Sequence, residues 1–271
     1  LFLPKTRNSN NEIFSTLLLK ELGFIAPSTF NIDVQLNGLQ YNVLFQEKAV
    51  KELLEKNSRV EGPIFEGDEE ILWKNRNKYS NFRTMQLEKL SGSRLTNTKW
   101  ATKNINTTLI TLESFIKLQK AYFDYSLSDT LFHINPNFKK DNIFLEYDLT
   151  LMTMNGFHGL RPHNRKYYYN TQRRLFEPIY YDGGTRLEKN ILENNLKRYF
   201  DGNDAYFYSK SLDYKKFENF LNKIDGIKID NFIRKYQINS KISLIDAESE
   251  VKNNFKIVKE NFKNIKNFFN E

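Results

Sequence analysis

"HNRKYYYNTQRRLFEPIYYDGG", residues 163–184, holds two strand-like runs, "NRKYYYN" and "RLFEPIYYDGG", separated by "TQRR". Paired as a hairpin centred on Arg173, they set Asn164 opposite Asp182. Directly opposed residues have Cα atoms about 4.5 to 5.5 Å apart, so an amide oxygen and a carboxylate meet at one end of the ribbon. A few hard oxygen ligands, completed by water and phosphate, suit Mg²⁺. Gly183 and Gly184 follow at once and remove side chains where a phosphate must come close. Pro178 cannot donate to a ladder, so its strand belongs at a sheet edge or carries a bulge, and the register stays open by one residue. The same spacing also suits a purely structural pair, with Asn164 capping a turn and Asp182 starting one.

The loop before the first run, "MNGFHGLRP" at 154–162, carries His158 and Arg161, and His163 follows. Zinc needs three or four ligands. With no cysteine and two nearby histidines it is disfavoured, and both histidines also suit hydrogen-bonded loop positions. His133, at a helix end, reads as structural.

The chain's 271 residues can bury one large core or two modest lobes. Its 39% apolar and 15% aromatic content indicates a folded protein. No run of 18 apolar residues exists, so no membrane span is expected. The start, "LFLPKTRNSNN", has no initiator Met and no basic region followed by an apolar stretch. It shows no signal peptide, reads as the start of a fragment, and leaves the compartment open. The absence of cysteine removes disulfides, thiolate catalysis and thiolate metal sites together. The net charge of +8 is spread over scattered lysines, which describes a solvated surface first and a polyanion-binding surface second.

"SNNEIFSTLLLKELG" reads as a helix capped by Ser9 or Asn10, with Glu12 in its first turn, a stripe of Ile13, Leu17 and Leu18, and Gly23 at its end. In "FNIDVQLNGLQYNVLFQEK", Asn37-Gly38 is a two-residue hairpin turn. Pairing outward sets Leu36 against Leu39, Val34 against Tyr41, Ile32 against Val43 and Phe30 against Phe45, all on one face expected to be buried. The same parity puts Glu47 on that face, where a carboxylate needs a partner; alternatively Glu47 opens the helix "KAVKELLEKN". "EGPIFEGDEE" reads as an acidic loop, and residues 57–108 as the connection between lobes. A helix is expected over 111–133 on the stripe Leu112, Phe115, Ile116, Tyr122 and Phe123, and a largely buried one in "DNIFLEYDLTLMTMN". Leu192, Leu196 and Tyr199 suggest a further helix. Val251, Phe255, Val258, Phe262, Ile265 and Phe269 mark the last one, either docked on the domain or forming a coiled-coil seam.

"ELGFIAPSTFNIDVQLNG", "NVLFQEKAVKELLE" and "EGPIFEGD", followed by "HNRKYYY" and "FEPIYYDGG", together resemble the CotH (spore coat protein H) kinase family over about residues 3 to 190. The resemblance implies an α+β, atypical protein-kinase-like fold with a small β-containing N-lobe (1–90) and a mostly helical C-lobe (91–271). It implies ATP and Mg²⁺ as cofactors and protein Ser or Thr as acceptor. Asn164 and Asp182 match the family's metal-binding residues, and Glu47 its N-lobe acid. Lys5 and Arg7 are candidates for its nucleotide-contacting Lys. Many members carry an Asp, as catalytic base, where this sequence has "NGFHGLRPHN", and His158 takes roughly that place. His158 is then the candidate proton acceptor, Arg161 and Arg165 the candidates for neutralising phosphate charge, and Gly183 the close-approach position. Two alternatives remain: a pseudokinase or scaffold, or a basic nucleic-acid or glycan module using Arg173, Arg174, Lys166 and the tyrosines as a stacking surface. Nucleic acid is the least favoured partner.

Overall fold

Asn37 and Gly38 take positive φ, 52° and 79°, and close an antiparallel hairpin of β1 (Thr29–Leu36) and β2 (Leu39–Gln46). Its register is the expected one throughout, from Phe30↔Phe45 to Leu36↔Leu39. Its burial is not. Leu36, Leu39 and Tyr41 at the tip are exposed, and cover is confined to the base, where Leu44, on the face expected to be wet, is fully buried. The reason is local: Phe2 exchanges two backbone hydrogen bonds of 2.9 Å with Leu44, and Asn31 donates to the Ser240 carbonyl at 3.1 Å. The computed structural model describes residues 1–3, 6–76, 91–127, 134, 143–191, 196 and 214–270. Lys5, His133, Leu192 and Tyr199 lie outside them.

The fold is α+β. A four-stranded antiparallel sheet runs in the order β4 (Gly92–Leu95), β3 (Ile64–Asp68), β5 (Lys166–Asn170), β6 (Leu175–Ile179). The segment "EGPIFEGDEE" is therefore an inner strand and not an acidic loop. Its glycine marks a crossing of chains: a Cβ on Gly67 would run into the Pro162 carbonyl oxygen. Pro178 sits on the edge strand β6, where its missing N–H is tolerated. Lys166 pairs with Ile179 and Asn170 with Leu175, so each partner lies one position short of the expected one and the hairpin centre falls between Gln172 and Arg173. The ladder also stops at Lys166, two residues before Asn164.

Three consecutive tyrosines fit this sheet because both of its faces are covered. Tyr167 and Tyr169 pack with Phe65, Phe176, Leu118 and Tyr122 on one face, and Tyr168 packs with Ile25, Leu53, Leu54 and Ile179 on the other. Their hydroxyls are bonded: Tyr167 to Tyr122 at 3.0 Å, Tyr168 to the Val60 carbonyl at 2.8 Å, Tyr169 to Lys117 at 3.2 Å. At 1% exposure or less these rings offer no stacking surface for bases.

Helix α1 (Asn10–Glu21) is buried all round from Glu12 to Leu19. Short helices α2 (Lys51–Lys56), α3 (Glu70–Arg76) and α4 (Thr98–Ala101) flank the sheet strands in sequence. Helix α5 (Ile105–Leu127) splits its expected stripe: Tyr122 is buried and Phe115 packs against the sheet cluster, but Leu112, Ile116 and Phe123 are exposed, and Thr111, Ser114, Leu118 and Ala121 are buried in their place. Small residues allow the helix to approach the sheet closely, and their hydroxyls are satisfied within the helix, Thr111 to the Thr107 carbonyl at 2.7 Å and Ser114 to the Ile110 carbonyl at 2.8 Å. Helix α6 (Ile143–Thr153) is buried as expected. Helices α7 (Tyr214–Asp225), α8 (Ile229–Ser240) and α9 (Leu244–Asn270) complete the main core. All six apolar positions of the α9 stripe are buried there, so α9 docks on the domain. Phe14 of α1 is its hub, edge-on to Phe232 at 5.2 Å and Phe255 at 5.3 Å. No described helix is long and apolar enough to cross a membrane.

Candidate functional site

After β6 the chain leaves the sheet through Tyr180, whose N–H donates to the Ile25 carbonyl at 2.8 Å, and reaches Asp182 at φ 42°. That left-handed conformation costs a non-glycine residue roughly 1–2 kcal/mol. Asn164 holds it from one side: its Nδ2 donates to the Asp182 carbonyl at 3.1 Å and to the His158 carbonyl at 3.2 Å. Among the described residues the Asn164 Oδ1 accepts no hydrogen bond. The two residues are joined, then, by the Asn164 amide nitrogen on the Asp182 main-chain carbonyl and not through the strand ladder.

The Asp182 carboxylate is shared between the side chains of Arg7 and His158. Arg7 forms an ion pair with Oδ1, and His158 Nε2 lies 3.5 Å from Oδ2. Burial works against the Asp182 charge, but the His158 hydrogen bond and the Arg7 charge hold its carboxyl below the ordinary range. Arg7 is itself buried and stacks near the rings of Phe2 (4.5 Å) and Tyr181 (5.1 Å). His158 is 46% exposed and is the open side of the cluster. The two glycines do not clear room for a ligand, as their sequence position suggested. A Cβ on Gly183 would meet the Tyr180 hydroxyl at 2.7 Å, and one on Gly184 would meet His158 Cβ at 3.1 Å.

Other expected site residues stand elsewhere. The Glu47 carboxylate accepts from the Ser28 N–H at 3.2 Å and pairs with Lys56 at 2.7 Å, tying down the end of β2; helix α2 starts only at Lys51. Arg165 makes a bidentate pair with Asp148 of α6, at 2.8 and 3.0 Å, and donates to the Leu160 carbonyl at 2.9 Å. Its guanidinium is committed to the fold and leaves no fork for a phosphate. Arg161 lies in the same loop, half-buried. His163 is buried, and desolvation, with Arg161 and His158 nearby, pushes it down to about 4.

Glu12 has a role that its place in a first helical turn conceals. It is 1% exposed, accepts from the Tyr180 hydroxyl at 2.6 Å and from Gln46 at 2.7 Å, and burial pushes it up to about 7. It therefore supports the residue two positions before Asp182. The only signal was that α1 carries apolar or small residues on every side after Glu12. A raised acid favours the folded state below the ordinary carboxylate pKa and loses that contribution as pH rises through about 7. His163, lowered, contributes above about 6.5 and loses its contribution as pH falls through about 4. Glu12→Gln is therefore expected to flatten the decline of stability between pH 5 and 8, by an amount on the order of 3 kcal/mol. Denaturant midpoints against pH read this directly, and parallel profiles for both proteins would exclude it.

Among the described residues no group of three or more His, Asp or Glu side chains is placed to hold a metal. The side-chain oxygens that Asn164 and Asp182 bring to this loop are of the hard type that Mg²⁺ takes, and both carboxylate oxygens of Asp182 face Arg7 or His158. Compared with known proteins, the chain matches no family model and no curated sequence.

Proposed function

We propose that the chain is an ATP-dependent phosphotransferase with an atypical, CotH-like kinase fold, acting on a protein Ser or Thr hydroxyl. The observation that carries this is the bond from Asn164 Nδ2 to the Asp182 carbonyl, which ties the amide to the residue bearing an ionised carboxylate and leaves the amide oxygen uncommitted. The amide oxygen and the carboxylate would hold Mg²⁺, which when bound offsets phosphate charge. The loop 156–164 supplies the rest. His158, exposed and 3.5 Å from Asp182, takes the acceptor's proton from its open side, and Arg161 faces developing phosphate charge. Most of the rate in phosphoryl transfer comes from such positioning.

One observation favours a second reading, a non-transferring scaffold: Arg7 already occupies an oxygen of Asp182. Thermal shift and γ-labelled ATP, each with and without Mg²⁺, separate the two. Mg²⁺-dependent stabilisation with label transfer supports the kinase, stabilisation without transfer supports the scaffold, and neither effect removes both. In the kinase, His158→Gln is expected to lower transfer by about 10²–10⁴-fold while leaving the ATP-induced thermal shift in place.

A further inference from the structure

Helix α5 carries two stripes on opposite sides. One packs on the sheet through Thr111, Ser114, Leu118, Ala121 and Tyr122. On the other, Ile105, Leu109, Leu112, Ile116, Phe123 and Leu127 recur at steps of four, three, four, seven and four. These six are 68, 56, 51, 64, 61 and 73% exposed. A helix docked on one sheet needs one apolar stripe. A second one at coiled-coil spacing is the signature of a helix that pairs with another.

We propose that this face pairs with the same face of a second copy of the chain, antiparallel and about a two-fold axis. Charge selects the occupant and the register. Glu113 and Lys120 lie on the same flank of the stripe, each turned along it by a pair with Lys117 or Asp124 at 2.6 Å. Antiparallel pairing brings that flank against itself. With Leu112 opposite Phe123 and Ile116 opposite Gln119 of the second copy, Glu113 meets Lys120 of the second copy, and symmetry makes the contact twice. A slip of one heptad in either direction sets Glu113 against Glu113 or Lys120 against Lys120, which repels. Parallel pairing would set the same charges against Thr108, Phe115 and Tyr122 and gains no such contact. Six large side chains more than half exposed offer on the order of 700 Å² per copy, near the roughly 800 Å² that a standard interface takes from each partner.

Sedimentation equilibrium of the full chain tests this. A concentration-dependent dimer is expected, and Ile116→Glu should weaken it by roughly tenfold or more without changing the melting temperature measured at concentrations where both proteins are monomers. Glu113→Lys should weaken it as well, and Glu113→Lys with Lys120→Glu should restore it. The chain has no cysteine of its own, so Leu112→Cys with Phe123→Cys should give an oxidised covalent dimer. Leu112→Cys alone should not, because antiparallel copies hold position 112 about 16 Å from its equivalent. A wild-type chain that stays monomeric at every concentration overturns the proposal. So does a covalent dimer from Leu112→Cys alone, or a charge exchange that restores nothing.

Discussion

Asp182→Asn is expected to lower Mg²⁺-dependent phosphate transfer by at least about 10²-fold, the size of effect seen when one preorganised charge contact is removed from a reacting centre. Asparagine is the informative substitution because it tolerates the φ of 42° that alanine would resist. Only the charge is lost. Stability should also fall, by about 1–3 kcal/mol, because Arg7 is 8% exposed and would keep its charge without the carboxylate that balances it. Adding Arg7→Met should return most of that stability and none of the activity. Melting curves and label transfer measured on the single and double variants therefore separate the ion pair from the chemistry. If Asp182→Asn transfers within a few-fold of wild type, the carboxylate takes no part in the reaction and the kinase proposal fails.

The two hairpins were legible because turn chemistry and period-two alternation act locally. Asn37-Gly38 determined its register to the residue, whereas "TQRR" left β5–β6 one position off because a four-residue turn with Arg174 at φ 53° has no comparably strict signature. What alternation could not show is which strand face finds a partner. The tip of the first hairpin reads as half-buried and stands clear, since burial depends on Phe2 and Ser240 far away in sequence. Helix α5 is half legible for the complementary reason: the stronger apolar stripe faces out, and beside Leu118 and Tyr122 the buried face carries Thr, Ser and Ala, which a hydrophobic pattern ranks below it.

Of the candidate site, Asn164, Asp182, His158 and Arg7 come together, and the loop that unites them was the part of the sequence richest in side-chain chemistry. Glu12 escaped notice because an acid at a helix N-terminus already has a sufficient local explanation; only the fold shows Tyr180 and Gln46 bonded to it. Gly183 and Arg165 serve the fold for one shared reason. Both residue types suit a phosphate, and both are equally suited to close packing and to a buried ion pair, which is how the fold uses them.

Arg165→Ala and Asp148→Ala should each cost about 3–5 kcal/mol of stability, because either one strands a buried charge. The side chains are 10% and 8% exposed and joined by two hydrogen bonds. The pair links the start of β5 to α6, and the third bond, from Arg165 Nε to the Leu160 carbonyl, fixes the loop that holds His158 and Asn164. The double variant Arg165→Met/Asp148→Leu removes both charges and keeps the volume, and should recover much of the loss. Chemical denaturation of the four proteins tests this as a cycle, with a coupling of several kcal/mol expected. Had Arg165 instead gripped a phosphate, Arg165→Ala would leave stability near wild type and raise the ATP concentration needed for half-saturation. The two outcomes move different observables in opposite order, so a single variant, melted and then assayed, distinguishes a clamp on the loop from a contact with the nucleotide.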